Sequence, residues 1–182
     1  MKFLQLRNPN VPNIAGKLFL PKVRNLDTAR NYWQQALQKL DECRCIYSRA
    51  IIPQRGFSLD HFLPWRYVTH DLLWNIIPTL PAVNSSKGDR LPNLSTYFDH
   101  FARIQFDALQ VVASSTHTKA QLDDYLLLFG CEQRSDLLSI PYDAFQSKLY
   151  ETVAPQFQIA RSMGFTGNWS YSPHDLSIAT EP

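Results

Sequence analysis

Two adjacent side chains, Asp60 and His61, bring together a metal ligand and a base of the kind that hydrolytic enzymes use. On an extended strand they point to opposite faces, so one can hold a cation while the other addresses a different group. Asn84 offers a neutral oxygen that a hard divalent cation accepts. Histidine changes charge near neutral pH, which suits it to accept a proton from water. These residue types favour metal-assisted hydrolysis of a phosphodiester.

Positively charged side chains lie close to this group in the sequence. Lys87 and Arg90 come three and six residues after Asn84, on roughly one face if the segment is helical. Arg66 lies five residues after His61. We expect Arg66, Lys87 and Arg90 to bind the phosphates of a nucleic acid. The alternative is that they are solvated surface charges.

The order of the polar residues resembles a known family. Asn75 follows His61 by 14 positions and precedes Asn84 by nine. The segments DHFLPWRYVTHDLLWN and NSSKGDRLP are similar to the HNH endonuclease family, especially its members in bacterial restriction and defence proteins. The ending Asn-x-x-Lys-x-Asp also resembles the nuclease domain of RNA-guided CRISPR effectors. The likeness covers residues 45–92, about a quarter of the chain.

The resemblance implies a role for each of five residues. His61 is then the general base that activates the attacking water, while Asp60 and Asn84 hold the catalytic metal. Asn75, counted with the catalytic set, fixes the loop beneath the histidine, and Lys87 lies near the scissile phosphate. The implied cofactor is Mg²⁺, Mn²⁺ or another divalent cation with few protein ligands. The implied fold is the ββα-metal, or His-Me finger, motif.

One departure from the family concerns a structural zinc ion. Many relatives carry two Cys-x-x-Cys pairs that bind zinc behind the site. Here Cys45 keeps the first position, and Ser48 stands in the second. Leu80 and Val83 occupy the positions of the other pair. Because one thiolate cannot hold zinc, we expect no structural zinc and apolar packing in its place.

The elements that must position these residues are predicted from hydrophobic periodicity and turn signals. A helix is expected over 27–41, with Asp27 as its cap. The segments 43–52 and 56–62 predict a β-hairpin with a short turn. Residues 64–92 contain four prolines and a polar run, which predict a loop with short helices.

Helical periodicity dominates the rest of the chain. The pattern predicts helices over 94–112, 121–129 and 142–163, the last of them kinked or broken at Pro155. We therefore expect an α+β fold. Its ββα-metal hairpin-loop-helix core is embedded in a mostly α-helical domain.

Composition limits the class of protein. The chain has 182 residues, is 45% hydrophobic and carries a net charge of +2, which fits one compact domain without a strong basic excess. No stretch approaches the roughly 20 apolar residues of a membrane span, so we expect a cytoplasmic protein without membrane contact. Three cysteines give no disulfide framework.

The expected parts of the chain are an N-terminal arm at 1–25, a helix with the core at 26–92, and a helical region at 93–182 packed on the core.

Other residues near the proposed site have two interpretations each. Trp65 and Trp74 are predicted to pack beneath the site, with stacking on a nucleic-acid base as the alternative. His70 and Asp71 could form a second base and ligand pair, but Asp71 more simply caps the turn at 72–75.

The sequence thus favours a metal-dependent HNH endonuclease that hydrolyses DNA in phage defence, restriction or mobile-element biology. RNA is not excluded as the substrate. A single site cuts one strand at a time, so double-strand cleavage would favour a homodimer or a larger defence complex. The alternative function is a catalytically inactive HNH-fold module that binds nucleic acid or protein.

Overall fold

The computed structural model describes residues 26–115 and 122–173. The predicted N-terminal arm at 1–25 lies outside the described residues. Within them helices predominate and one small antiparallel sheet is present, so the predicted α+β class is confirmed. No helix in these ranges is long and apolar enough to cross a membrane.

Helix α1 (Asp27–Lys39) precedes the core and ends two residues earlier than predicted. The predicted cap is wrong, because Leu26 occupies the cap position and Asp27 is the first helical residue. A carboxylate in the first turn still interacts favourably with the helix dipole. Trp33 lies on the buried face and its indole Nε1 donates to the Ile76 carbonyl at 2.9 Å. This bond fixes α1 against the sheet.

The sheet consists of two buried strands, β1 (Ser58–His61) and β2 (Ile76–Thr79). They are antiparallel, with Asp60 opposite Ile77 and His61 opposite Ile76. The register places the Asp-His pair at the end of β1, where the chain leaves the sheet. The connection to β2 therefore passes directly beside the two side chains.

Short helices lie between and after the strands. The connection contains helix α2 (Trp65–Val68) and a 3₁₀ turn (Leu73–Asn75). Helix α3 (Pro81–Lys87) follows β2 after a single residue and begins with a proline, which suits the first helical position because its missing N–H needs no partner there. The order strand, strand, helix is the predicted ββα core.

The predicted hairpin between 43–52 and 56–62 is wrong. Segment 43–52 forms only an isolated bridge between Arg44 and Ile51, and β1 pairs with β2 instead. Pro78 lies within β2, inside the stretch predicted to be loop. A two-stranded sheet has only edge strands, and an edge strand tolerates a proline because its N–H position needs no partner.

The second half of the chain is helical, as predicted. Its four helices are α4 (Leu94–Ala113), α5 (Asp123–Phe129), α6 (Arg134–Ser139) and α7 (Tyr142–Ser162). Gly130 ends α5 in the left-handed conformation, at φ 65°, which glycine adopts without strain. Helix α7 runs without a break through Pro155. Helix α6 was not predicted, and it is stabilised by a capping box between Gln133 and Asp136.

Helix α4 is the main support of the ββα core. The ring of Phe101 stacks on Phe62, the first residue after β1, with 4.0 Å between centroids. Both rings are fully buried. Asn93 caps α4, since its side-chain oxygen accepts from the Thr96 amide at 3.1 Å. The helix is thereby fixed both at its start and against the loop that leaves β1.

The chain after α7 returns to the junction between the core and α4. Leu91 donates its amide to the Thr166 carbonyl at 2.8 Å, and Asn93 donates to the Trp169 carbonyl at 2.7 Å. The Trp169 ring packs edge-on against Tyr47, with 5.1 Å between centroids. We call residues 165–171 the C-terminal clamp.

Candidate active site

A small cavity of about 180 Å³ opens beside the end of β1. Three of the predicted site residues, Asp60, His61 and Asn84, line it together. The sheet contributes the first two, and α3 contributes the third. The remaining lining residues are Leu59, Pro64, Trp65, Gly88 and Asp89.

Asp60 is buried and both of its carboxylate oxygens are hydrogen-bonded. Lys87 donates its ammonium group to Oδ1 at 2.9 Å, and the Tyr47 hydroxyl donates to Oδ2 at 2.6 Å. Lys87 also donates to the His61 carbonyl at 2.7 Å, and its side chain is fully buried. Each carboxylate oxygen keeps a further lone pair. The carboxylate is thus held in one orientation, with its charge compensated.

Tyr47 is a neutral donor in this arrangement. Burial, reinforced by the negative charge of Asp60, raises the pKa of the Tyr47 hydroxyl well above its usual value. The hydroxyl therefore stays protonated and keeps its hydrogen bond to the carboxylate. Tyr47 was not identified from the sequence.

His61 is 5% exposed and lies between the cavity and the loop that follows. Its Nε2 is 2.8 Å from Oδ1 of Asp71, a residue outside the cavity lining. Among the described residues, no hydrogen bond is formed by the other ring nitrogen, Nδ1. The prediction that Asp71 caps the following turn is wrong, because that turn has no side-chain cap.

The amide of Leu73, the first residue of the 3₁₀ turn, donates its hydrogen bond to a residue of another element. Asp124 on α5 accepts from this amide at 2.8 Å. Burial raises the pKa of the Asp124 carboxyl, and the hydrogen bond from Leu73 works against that shift. Asp124 was not identified from the sequence either, since its partner is 51 residues away.

Asn75 joins the two ends of the loop beneath His61. Its side-chain oxygen accepts from the Leu63 amide at 2.9 Å, and its nitrogen donates to the Leu63 carbonyl at 3.0 Å. The Asn75 carbonyl also accepts from the Phe62 amide at 2.8 Å. Asn75 is fully buried. These contacts are the ones that a loop-fixing role requires.

Gln105 on α4 holds the same loop from the opposite side. Its side-chain nitrogen is 3.0–3.2 Å from three carbonyl oxygens, two in the loop and one on the first residue of β2. Its side-chain oxygen accepts from the Tyr125 hydroxyl at 2.5 Å. Because Gln105 is fully buried, these carbonyls would have no solvent to replace it. The three carbonyls belong to Leu73, Trp74 and Ile76.

Asn84 directs its amide nitrogen to the sheet. That nitrogen donates to the Ser58 hydroxyl at 2.8 Å and lies 3.3 Å from the Leu59 carbonyl. Among the described residues, its side-chain oxygen accepts no hydrogen bond. An amide that uses its N–H₂ group in this way has its oxygen left for another partner.

The donors at the cavity fit a hard divalent cation. A carboxylate oxygen of Asp60 and the amide oxygen of Asn84 are ligands that Mg²⁺ and Mn²⁺ accept, with water and substrate oxygens completing the shell. Residues 26–115 and 122–173 contain no group of three or more His, Cys, Asp or Glu side chains able to hold a metal. Any cation here has few protein ligands and shares Asp60 with the Lys87 ammonium.

The segment that carries these residues matches a known family. Residues 45–93 match the HNH endonuclease family. This segment belongs to it. The match begins at Cys45 and includes both strands, the connecting loop and α3. No curated protein and no solved structure matches the chain significantly. An HNH domain indicates nuclease-type activity in general, and HNH nucleases generally use divalent metal ions.

The two predicted arginines of the HNH core lie in different surroundings. Arg66 is exposed, and its guanidinium is 3.3 Å from the Asp89 carboxylate at the rim of the cavity. Arg90 donates to the Lys87 carbonyl at 3.2 Å and to the Ser86 carbonyl, and it lies over the Trp169 ring at 5.6 Å. Arg90 thus stabilises the C-terminal end of α3.

Residues that stand at the positions of the family's zinc ligands pack within this HNH core. Cys45 is fully buried, and its sulfur is 3.1 Å from the Thr79 hydroxyl. Val83 is also buried, and Leu80 packs against the core. Burial, with Cys45 nearby, raises the pKa of the Cys43 thiol to about 12, so that this thiol stays protonated. A zinc-free HNH core stays a prediction.

Proposed function

We propose that this protein is a metal-dependent HNH endonuclease that hydrolyses DNA phosphodiester bonds. The supporting observation is that Asp60, His61 and Asn84 line one cavity although they come from two elements of the core. A carboxylate, an imidazole and an amide oxygen together are what base-catalysed, cation-assisted hydrolysis requires.

His61 is the proposed general base. It accepts a proton from the water that attacks phosphorus, and its ring is held by the strand end and by Asp71. Asp60 and Asn84 would hold Mg²⁺ or Mn²⁺, which supplies charge stabilisation at the departing oxygen when bound. Asn75 keeps the loop in place, so the base does not have to be repositioned in each reaction cycle.

The positive residues have different proposed parts. Arg66 is exposed at the rim of the cavity and is proposed to contact the DNA backbone. Lys87 is buried against Asp60, so we propose that it acts through that carboxylate and through the field it creates at the phosphate. Arg90 supports the end of α3 and can reach a phosphate only by leaving its stacking on Trp169.

We further propose that the protein acts in the cytoplasm, in phage defence, restriction or mobile-element biology. One HNH site cuts one strand. Double-strand cleavage by this chain would therefore need a homodimer, a larger complex or two successive nicks.

The test is nicking of supercoiled plasmid DNA in Mg²⁺ or Mn²⁺. We expect His61→Ala to lower the single-turnover rate by about 10²–10⁴-fold, the usual contribution of a general base. His100→Ala is the matched control, since His100 is an exposed histidine on α4. A single-stranded RNA of the same sequence, assayed in parallel, separates a DNA nuclease from a ribonuclease. Equal rates for the wild type and His61→Ala would favour the inactive binding module instead.

A further inference from the structure

The contact between His61 and Asp71 has a consequence for the chemistry of the ring. We infer that Asp71 is a positioning residue that selects the tautomer of His61 and leaves Nδ1 as the nitrogen that accepts the proton. This inference deepens the proposed nuclease function and, for its effect on rate, rests on it.

The contact with Asp71 determines which ring nitrogen of His61 carries the hydrogen. An ionised carboxylate only accepts hydrogen bonds, so the 2.8 Å contact between Asp71 Oδ1 and His61 Nε2 requires the hydrogen to be on Nε2. A neutral imidazole has one N–H, and its other nitrogen then carries a free lone pair. Nδ1 of His61 forms no hydrogen bond with the described residues. It is therefore the nitrogen available to a water molecule.

The cavity and Asp71 contact His61 separately. His61 lines the cavity, and Asp71 does not. The carboxylate thus approaches the ring from outside the place where substrate and cation would bind. Because Asp71 does not line that place, it acts on the reaction only through His61. The side chain of Asp71 is 25% exposed, so part of it contacts solvent.

A carboxylate selects a tautomer only if its own position is fixed. The residues that follow Asp71 are held by other elements. Leu73 donates its amide to Asp124 on α5, and its carbonyl accepts from Gln105 on α4. The amide of Leu72 lies 3.4 Å from Nδ1 of His70. The helical scaffold thereby fixes the backbone that carries Asp71.

An exchange of this carboxylate for an amide should disturb the tautomer and leave most of the structure intact. The amide group introduced by Asp71→Asn could donate to Nε2, which would move the hydrogen to Nδ1 and remove the lone pair from that nitrogen. In serine proteases the equivalent Asp-to-Asn change keeps the geometry and lowers kcat about 10⁴-fold because the histidine adopts the wrong tautomer.

The experiment measures the tautomer directly on full-length protein labelled with ¹⁵N-histidine. Two-bond ¹H–¹⁵N spectra, recorded at a pH where the ring is neutral, identify which nitrogen of His61 carries the hydrogen. We expect Nε2–H in the wild type and a loss of that form in Asp71→Asn. Asp143→Asn is the matched control, since Asp143 is an exposed carboxylate on α7 away from the site. It should leave the His61 signals unchanged.

The rate is the second readout. For plasmid nicking with saturating Mn²⁺, we expect Asp71→Asn to lower kcat at least about 10²-fold with little change in KM, because binding does not use Asp71. Asp71→Glu should restore Nε2–H and part of the rate. If Asp71→Asn does not fold, the wild-type and Asp71→Glu spectra still decide the tautomer.

Two results would overturn the inference: an Nδ1–H tautomer in the wild type, or an unchanged Nε2–H tautomer in a folded Asp71→Asn. If the wild type shows Nε2–H, Asp71→Asn loses it, and neither protein cuts any nucleic acid, then the proposed function fails and the role of Asp71 in selecting the tautomer stands.

Discussion

Asp60 is paired with Lys87 at the place where the proposed cation would bind. The Lys87 ammonium, 2.9 Å away, neutralises the buried carboxylate when no divalent ion is bound. A cation at the same carboxylate is repelled by that ammonium. Removing one member of a buried ion pair leaves the other uncompensated, which costs far more than an exposed pair contributes. If Asp60 binds a divalent cation as proposed, the pair would link the stability of this protein to cation binding.

Lys87→Met tests this link. We expect it to lower the free energy of unfolding by about 3–5 kcal/mol, because Asp60 loses its buried counter-charge. Added Mn²⁺ should restore part of this loss, since the cation supplies the missing positive charge at the carboxylate. The measurement is urea unfolding with and without Mn²⁺.

Lys148→Met is the control for that variant, since Lys148 is exposed on α7. The double variant Asp60→Asn/Lys87→Met should be more stable than Lys87→Met alone, because no charge is then left unpaired. If Lys87→Met were as stable as Lys148→Met, Lys87 would not be acting as the counter-charge of Asp60.

At the residue scale, the sequence indicates which side chains bear chemistry better than it indicates their partners. Asp60, His61 and Asn84 could be selected because their types and spacing fit hydrolysis, and they line one cavity. Asp71 could not be paired with His61, because that contact forms only when the loop between the strands closes. Lys87 was expected near a phosphate, and its burial depends on the packing of α3 against β1.

At the scale of elements, the loop beneath His61 depends on groups that lie far away in the sequence. Gln105 on α4 and Asp124 on α5 bind its backbone, and Trp33 on α1 binds the first residue of β2. A loop with many such bonds is held more rigidly than its length suggests. This explains how a two-stranded sheet keeps the end of β1, with Asp60 and His61, in place.

The contribution of Asp124 to the stability of the protein depends on pH. Burial raises its pKa above the ordinary 3.8, so the folded state binds the proton more tightly than the unfolded state does. The stability that this group contributes at low pH is therefore lost as the pH rises from about 3.8 through its folded-state pKa. The variant Asp124→Asn keeps a side-chain oxygen that can accept from the Leu73 amide, and its side chain has no titrating proton.

We accordingly expect the unfolding free energy of the wild type, minus that of Asp124→Asn, to fall as the pH is raised from 3.5 to 7. Urea unfolding of both proteins across this range, about half a unit at a time, measures the difference. Other titrating groups are common to the two proteins and cancel. A difference that grows with pH would show that the folded state favours the ionised carboxylate.

The elements themselves were predictable to different degrees. Helical periodicity identified α1, α4 and α7 because each buries one face, whereas the stop at Gly130 indicated the end of α5. The β2 strand was missed because Pro78 lies in it, and the 43–52 segment was assigned to a strand because its residue types favour one. Strand pairing is a long-range choice, and local residue preference does not determine it.

At the scale of the whole molecule, the HNH segment and the helices form one hydrophobic core. Phe62 of the segment stacks on Phe101 of α4, and Trp33 of α1 contacts β2. A two-stranded sheet is marginal in water by itself, and a chain of about 50 residues buries too little surface to offset its loss of entropy. The segment should therefore depend on its surroundings to fold.

We expect a peptide of residues 45–93 to be unfolded in isolation, with or without Mn²⁺. Its ¹H–¹⁵N spectrum should show the narrow amide dispersion of an unfolded chain, whereas the full-length protein should show a dispersed spectrum. The full-length protein with Phe101→Ala provides an intermediate case, with an expected loss of about 3–5 kcal/mol. A dispersed spectrum from the peptide would mean that the helices are not needed for folding.

The C-terminal clamp has a practical meaning for anyone who would transplant this catalytic unit into another protein. Trp169 contacts Tyr47, and Tyr47 in turn bonds to Asp60. A graft that stopped at residue 93 would lack the indole that packs on this tyrosine, so the Asp60 carboxylate would lose part of its outer support. The smallest portable unit accordingly extends to Trp169, about 75 residues beyond the end of the family signature.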